Sequence, residues 1–287
     1  MLTRLRTYAS FVRISHTVFA LPFALVGALL AVRAGAAVTW SWPRLGWILA
    51  CMFTARSAAM GFNRLADAAH DARNPRTEMR ELPSGRMVRG EAVAFVVAAS
   101  VIFLVSAWMV SPLCLALAPI ALGIVFWYSL AKRFTDYAQL FLGLAMAVAP
   151  VGGWIAMGGG WSPEPFLLGL AIGTWVGGFD VLYACQDYEV DRREGMRSMP
   201  VRFGIAGSIR ISRAMHVMTV LALAAVGAVA GLGRIYAGGV AGVTLLLIYE
   251  QSLVSADDLS QVKRAFDLNG WVGILYLATT AVATVGR

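Results

Sequence analysis

Two aspartate pairs at helical spacing carry most of the possible chemistry of this 287-residue chain. The first lies in Asn63-Arg64-Leu65-Ala66-Asp67-Ala68-Ala69-His70-Asp71, the second in Tyr183-Ala184-Cys185-Gln186-Asp187-Tyr188-Glu189-Val190-Asp191. Residues four apart share one helix face, and carboxylates so placed repel each other unless a cation neutralises them. Asn63, Asp67 and Asp71 form an i, i+4, i+8 stripe of hard oxygen donors, and Asp187 with Asp191 repeats the pair. Such donors suit Mg2+ better than zinc. Arg73, Arg76 and Arg80 follow the first cluster, and Arg192, Arg193 and Arg197 the second. Acid that can hold a divalent ion, beside base that can hold phosphate, is chemistry for a diphosphate. Glu189 and Glu194 read instead as solvated surface charge.

Further candidates lie around these clusters. Asp180 follows Gly177-Gly178-Phe179 inside an apolar run, and an ionisable residue at membrane depth is costly enough to mark a functional candidate; a helix–helix ion pair or structural hydrogen bond is the plainer alternative. Tyr128 and Lys132 fall four apart, with Arg133 next, so a phenol and an ammonium can face one anion; Lys132 and Arg133 can equally be positive anchors at a membrane edge. Arg56 lies two helical turns before Asn63, where it can meet an acidic substrate group or Asp180. The stretch from Arg13 to Phe23 adds a cation and His16 at the start of the first apolar segment; a lone histidine there is more often an interface residue than a catalyst.

The elements that must position these residues are membrane helices. The chain is 59% hydrophobic and only 14% charged, against roughly 25% charge in soluble domains, and its mean hydropathy is +0.70. Runs long enough to cross roughly 30 Å of hydrocarbon fall at about 14–34, 44–66, 90–110, 112–130, 137–157, 164–185, 207–230, 235–254 and 267–286. The expectation is an all-α integral membrane protein of nine helices in a single domain, residues 1–287. The first run is read as a retained helix, too long for a signal peptide and without a small-residue cleavage site. With a cytoplasmic N-terminus, 19 of the 24 Lys and Arg residues fall on the cytoplasmic side and four on the other, the asymmetry that orients membrane proteins. Both acidic clusters then face the cytoplasm, each leading into a long connection, about 67–89 and 186–206. The net charge of +8 is accounted for by loops facing anionic lipid, and no basic tail points to nucleic acid. Cys51, Cys114 and Cys185 lie in separate runs and read as small apolar residues. An echo between the connections, with Arg80 three residues before Pro83 and Arg197 three before Pro200, is either chance or the trace of two related halves.

At this point the sequence resembles the UbiA superfamily of intramembrane prenyltransferases. Asn63-x3-Asp67-x3-Asp71 is similar to the family's first Asp-rich motif, and Asp187-x3-Asp191, preceded by Tyr183, to its second. Tyr128-x3-Lys132, Arg76-Thr77-x2-Arg80-x-Leu82-Pro83-x-Gly85 and His16-Thr17-x-Phe19-Ala20-Leu21-Pro22 resemble the branch acting on aromatic acids, and the Asn63-Arg64 start, Asn74-Pro75-Arg76-Thr77 and Tyr183-Ala184-Cys185-Gln186-Asp187 resemble most its bacterial 4-hydroxybenzoate polyprenyltransferase-like group. Arg64 departs from the pattern, since many members carry a second acid there.

The resemblance implies a helical bundle around a central cavity in the bacterial inner membrane, with its active site toward the cytoplasm. It implies that a polyprenyl diphosphate and a small aromatic acid are the substrates, in ubiquinone or menaquinone synthesis, and that Mg2+ is held by Asn63, Asp67, Asp71, Asp187 and Asp191. Arg76, Arg80, Lys132, Arg133 and Tyr183 would hold the diphosphate, with Tyr128 and Lys132 in the catalytic set. Arg56, Arg13, His16 and Asp180 are the candidates for the acceptor. A dihydroxynaphthoate acceptor is the nearest alternative; an ion-coupled transporter is the alternative of a different class, although its acids should lie near mid-membrane rather than at one rim.

Overall fold

The computed structural model describes residues 2–12 and 20–285, and among these residues every regular element is helical. In chain order they are α1 (Leu2–Phe11), α2 (Leu21–Arg33), α3 (Trp42–Asp71), α4 (Arg89–Val110), α5 (Pro112–Leu130), α6 (Ala138–Ala156), α7 (Glu164–Ala184), α8 (Tyr188–Arg193), α9 (Met199–Val229), α10 (Gly233–Ser252) and α11 (Val262–Val285). Apart from the short α1 and α8, each helix corresponds to one of the nine expected runs, although residues 14–19 of the first run lie outside the described residues. Among the described residues, six helical stretches are long and apolar enough to cross a membrane. The exposed side of α4 carries Val97, Val101, Val105 and Trp108, a face suited to lipid and not to water. The protein is a multi-pass membrane protein.

The largest departure from the expected boundaries is α9. It begins at Met199, eight residues before the expected start, with Pro200 in its first turn and Gly204 interrupting it at φ +69°. Proline is tolerated in a first turn because its missing N–H would have no intrahelical partner there, and the positive φ at 204 is open to glycine at little cost. The stretch expected as connection is therefore partly helix, followed by a kink.

The helices pack as two units, one of Met1–Val18 with Ser41–Leu130 and one of Phe19–Trp40 with Ala131–Arg287. In the first, α3, α4 and α5 close on Ala58, Ala99, Phe103, Ala107, Ala118 and Leu122, and Phe62 stacks on Phe126 with ring centroids 4.6 Å apart. A satellite cluster of Phe11, Val12, Met87 and Ala92 fixes α1 against the start of α4. In the second unit α7 packs against α6 and α9, and α2 packs on α6. A methyl at Gly27 would run into the carbonyl of Pro150, and one at Gly153 into that of Ala24, so glycine sets the approach of α2 to α6.

Several polar groups within this second unit pair with one another, as a medium without water favours. Trp175 Nε1 donates to Asn269 Oδ1 at 2.6 Å. Ser212 Oγ donates to the Gly178 carbonyl at 2.8 Å and accepts from Gln251 Nε2 at 2.8 Å. The hydroxyls of Tyr236 and Tyr276 bond each other at 2.8 Å.

Candidate functional site

The first acidic cluster occupies the end of α3. At 30 residues this helix spans about 45 Å at 1.5 Å per residue, well beyond the roughly 30 Å of hydrocarbon. Because helix geometry persists through Asp71, Asn63, Asp67 and Asp71 do share a face. Asn63 Nδ2 donates to Asp67 Oδ2 at 3.2 Å, which directs the amide nitrogen to the carboxylate. Asn63 and Asp67 are half-buried and Asp71 is 3% exposed. Arg64, where a second acid is common in the family the sequence resembles, is buried on the same helix end.

The connection after α3 folds back onto Asp71. Asn74 Oδ1 accepts from the Arg76 backbone N–H at 2.9 Å, an Asx turn of the kind Asn-Pro favours. Thr77 Oγ1 then donates to the Asp71 carbonyl at 3.1 Å, and Arg80 Nη1 donates to Asp71 Oδ1 and Oδ2 at 2.7 and 2.8 Å. Arg76 stays exposed. Arg56, two turns before Asn63 on α3, is half-buried.

The second cluster sits where α7 gives way to α8. A 3-10 turn over Cys185–Asp187 separates the two helices, so Asp187 and Asp191 flank a change of helix type rather than riding one continuous α-helix. Asp187 is 6% exposed and Asp191 fully buried, whereas Glu189 and Glu194 are exposed. Asp180 and Tyr183, both half-buried, lie on the last turns of α7, where the Tyr183 ring packs on Phe266 with centroids 4.9 Å apart.

Backbone bonds bring the Lys132 segment to this cluster. The Met196 N–H donates to the Asp191 carbonyl at 2.8 Å, and the next residue, Arg197, donates its N–H to the Lys132 carbonyl at 3.3 Å. Arg197 Nη1 also bonds the Phe134 carbonyl at 2.8 Å. Lys132, half-buried, and Arg133, exposed, occupy a 3-10 turn that succeeds α5 at Ala131. Tyr128, half-buried, is still in α5, so the α-helical face expected to unite Tyr128 with Lys132 ends between them.

The echo between the two connections has no counterpart in these bonds. Arg80 holds a carboxylate of its own acidic cluster, whereas Arg197 holds a backbone carbonyl of another connection. Arg13 and His16 lie outside the described residues. Cys51 and Cys114 are half-buried and Cys185 is buried, all as free thiols. What sequence reasoning missed is the bracing around the first cluster: Thr77 and Asn74, for which the Asn-Pro pair was the available signal, and Ser10 with Glu81, for which spacing gave none.

The profile of the UbiA prenyltransferase family matches residues 20–275. A 4-hydroxybenzoate octaprenyltransferase from Alkalilimnicola ehrlichii is 31% identical over 218 residues, covering 76% of this chain and 74% of that protein. Among solved structures, a UbiA homolog from Aeropyrum pernix K1 superposes with a TM-score of 0.85 at 34% identity, covering 94% of this chain and 98% of the other. A UbiA homolog from Archaeoglobus fulgidus bound to GPP and Mg2+ shares the fold, with a TM-score of 0.71 at 19% identity over 97% of this chain and 99% of that one. The matched range includes the positions of both acidic clusters and of every helix from α2 to α10, and the chain belongs to the UbiA prenyltransferase family.

Proposed function

We propose that this protein transfers a polyprenyl group from a polyprenyl diphosphate to the ring of 4-hydroxybenzoate, in the synthesis of ubiquinone. The observation that carries the reading is the second acidic cluster, where Asp187 and the fully buried Asp191 are joined through the Met196 and Arg197 backbone to the segment bearing Lys132. Acid for a cation and base for an anion thus meet within one unit of a UbiA-family chain. The Alkalilimnicola ehrlichii relative, named for octaprenyl transfer to 4-hydroxybenzoate, supports the choice of acceptor.

The donor set fits Mg2+. Among the described residues no three His, Cys, Asp or Glu side chains gather into a cage for an ion; each cluster offers two carboxylates, with Asn63 beside the first pair. Mg2+ is commonly bound by one or two carboxylates plus substrate phosphates, without an all-protein cage. Asn63, Asp67, Asp71, Asp187 and Asp191 would hold it, and the Archaeoglobus fulgidus homolog bound to GPP and Mg2+ supports that assignment. When bound, the ion neutralises charge on the diphosphate.

Lys132, Arg133, Arg76 and Arg80 add cationic donors for the diphosphate oxygens, and Tyr128 and Tyr183 add hydroxyl donors; such groups act most strongly on charge that grows as the leaving group departs. The allylic C–O bond breaks with its electron pair going to the diphosphate. The ring carbon ortho to the acceptor hydroxyl forms the new C–C bond, and the displaced ring proton passes to a diphosphate oxygen or an aspartate. Aromatic faces such as Tyr183 stabilise the allylic cation. Arg56 and Arg13 answer to the acceptor carboxylate, with His16 and Asp180 orienting the ring. The clusters face the cytoplasm from the bacterial inner membrane.

Incubating membranes that contain the protein with a radiolabelled polyprenyl diphosphate, Mg2+ and either 4-hydroxybenzoate or a dihydroxynaphthoate tests the reading. Labelled prenyl-hydroxybenzoate is the expected product. Label found only in the naphthoate product would move the enzyme to menaquinone synthesis, and no labelled product with either acceptor would refute the reading.

A further inference from the structure

Glu81 has no part in the chemistry above, yet it is 3% exposed in the connection after α3. Its Oε1 accepts a hydrogen bond from the Ser10 hydroxyl of α1 at 2.6 Å, and its Oε2 is buried with no hydrogen-bond partner among the described residues. A carboxylate buried with half its acceptor capacity unused destabilises the fold, so packing alone is a poor reason for an acid here.

The neighbouring residue gives a better one. Arg80 directs its guanidinium to Asp71 at the end of α3, while Glu81 reaches α1. One dipeptide is therefore fastened in two directions, and the Met87 N–H closes the turn on the Glu81 carbonyl at 3.1 Å. The α1 helix is itself a firm anchor: the Tyr8 hydroxyl donates to Glu91 Oε1, and Phe11, fully buried, packs among Met87, Ala92 and Phe95. Between Asp71 and Arg89 the chain has no α-helix, so without these ties Arg80 would sit in a long irregular connection.

We propose that Glu81 is a positioning residue for Arg80: through Ser10 it fastens the connection to α1 and so holds the guanidinium ready for the substrate diphosphate. The inference rests on Arg80 as a diphosphate-binding residue. Its reach is specific, since a fixed cation that recognises one substrate affects that substrate's KM and not the handling of the other.

The test compares Ser10→Ala, Glu81→Ala, Glu81→Gln and Arg80→Ala by steady-state kinetics, with each variant's Tm recorded. Ser10→Ala and Glu81→Ala are each expected to raise the KM for polyprenyl diphosphate about tenfold, the scale of one charge-assisted hydrogen bond. The KM for the aromatic acid should stay within twofold, while kcat falls along with affinity for the diphosphate, because Arg80 also acts on the departing charge. Glu81→Gln, which keeps an acceptor for Ser10, should restore the wild-type KM, and the double variant Ser10→Ala/Glu81→Ala should be no worse than either single one. Ser10 is exposed, so its truncation leaves the fold intact and keeps the test open if Glu81→Ala fails to accumulate. An unchanged diphosphate KM in Ser10→Ala, with Arg80→Ala raising it, would overturn the role of Glu81 alone. An unchanged KM in Arg80→Ala would overturn the diphosphate role of Arg80 and the inference with it.

Discussion

Arg80 Nη1 lies 2.7 Å from Asp71 Oδ1 and 2.8 Å from Oδ2, so one guanidinium nitrogen serves both oxygens of the carboxylate. The Asp71 side chain is 4% exposed and that of Arg80 21%, which makes the pair largely desolvated, and removing one partner leaves the other charge uncompensated. Arg80→Ala should destabilise the protein by about 1.5–3 kcal/mol, and Arg80→Lys should recover only part, because a point ammonium does not reproduce the planar guanidinium. Melting curves in detergent check this. A double variant, Asp71→Asn with Arg80→Gln, should lose less than the sum of the single losses.

Removal of divalent ions should abolish turnover. Two carboxylates of one cluster, without a cation between them, repel an anionic diphosphate. EDTA treatment followed by Mg2+ titration measures the dependence; full activity in a chelated, metal-free preparation would remove the metal from the account.

Under the proposed function the acceptor is recognised by different groups from the diphosphate. If Arg56 binds the aromatic carboxylate, Arg56→Ala should raise that substrate's KM by roughly ten- to a hundredfold, the equivalent of about 1.5–3 kcal/mol. The polyprenyl diphosphate KM should change little. Unaltered kinetics toward the aromatic acid would hand the role to other residues, with Arg13 and His16 the next to vary.

Orientation is open to cysteine labelling in a background lacking Cys51, Cys114 and Cys185. Ser84 and Glu194 are exposed in the connections that follow the two acidic clusters, and Gly160 is exposed between α6 and α7. An impermeant thiol reagent should reach cysteines at 84 and 194 from the cytoplasmic side and at 160 from the opposite side. Labelling of 84 and 194 from opposite sides would contradict the shared-face topology.

Much of the fold was legible because membrane helices announce themselves by uninterrupted apolar length, and α4, α5, α6 and α7 match their expected limits within about one residue. The start of α9 was not, since Pro200 and Gly204 read as a break when one of them opens the helix and the other only kinks it. The stripe of Asn63, Asp67 and Asp71 was legible as well, because one helix carries all three. The break in the face expected to unite Tyr128 with Lys132 was not, because a shift to 3-10 geometry after Leu130 leaves no mark in residue spacing. Nor could spacing pair Arg80 with Asp71 or Ser10 with Glu81; those contacts depend on how an irregular connection folds back.

The most direct test of the account is polyprenyl transfer to 4-hydroxybenzoate by Asp67→Ala, Asp187→Ala and Asp191→Ala, measured with both 4-hydroxybenzoate and a dihydroxynaphthoate offered as acceptors. In the proposed reaction, loss of the diphosphate precedes the choice of nucleophile, so each substitution is predicted to depress the rate by at least about a hundredfold, the scale of losing one preorganised charge contact, and by the same factor for any acceptor that reacts. Wild-type rates in all three variants would contradict the central claim that these aspartates hold the diphosphate for transfer.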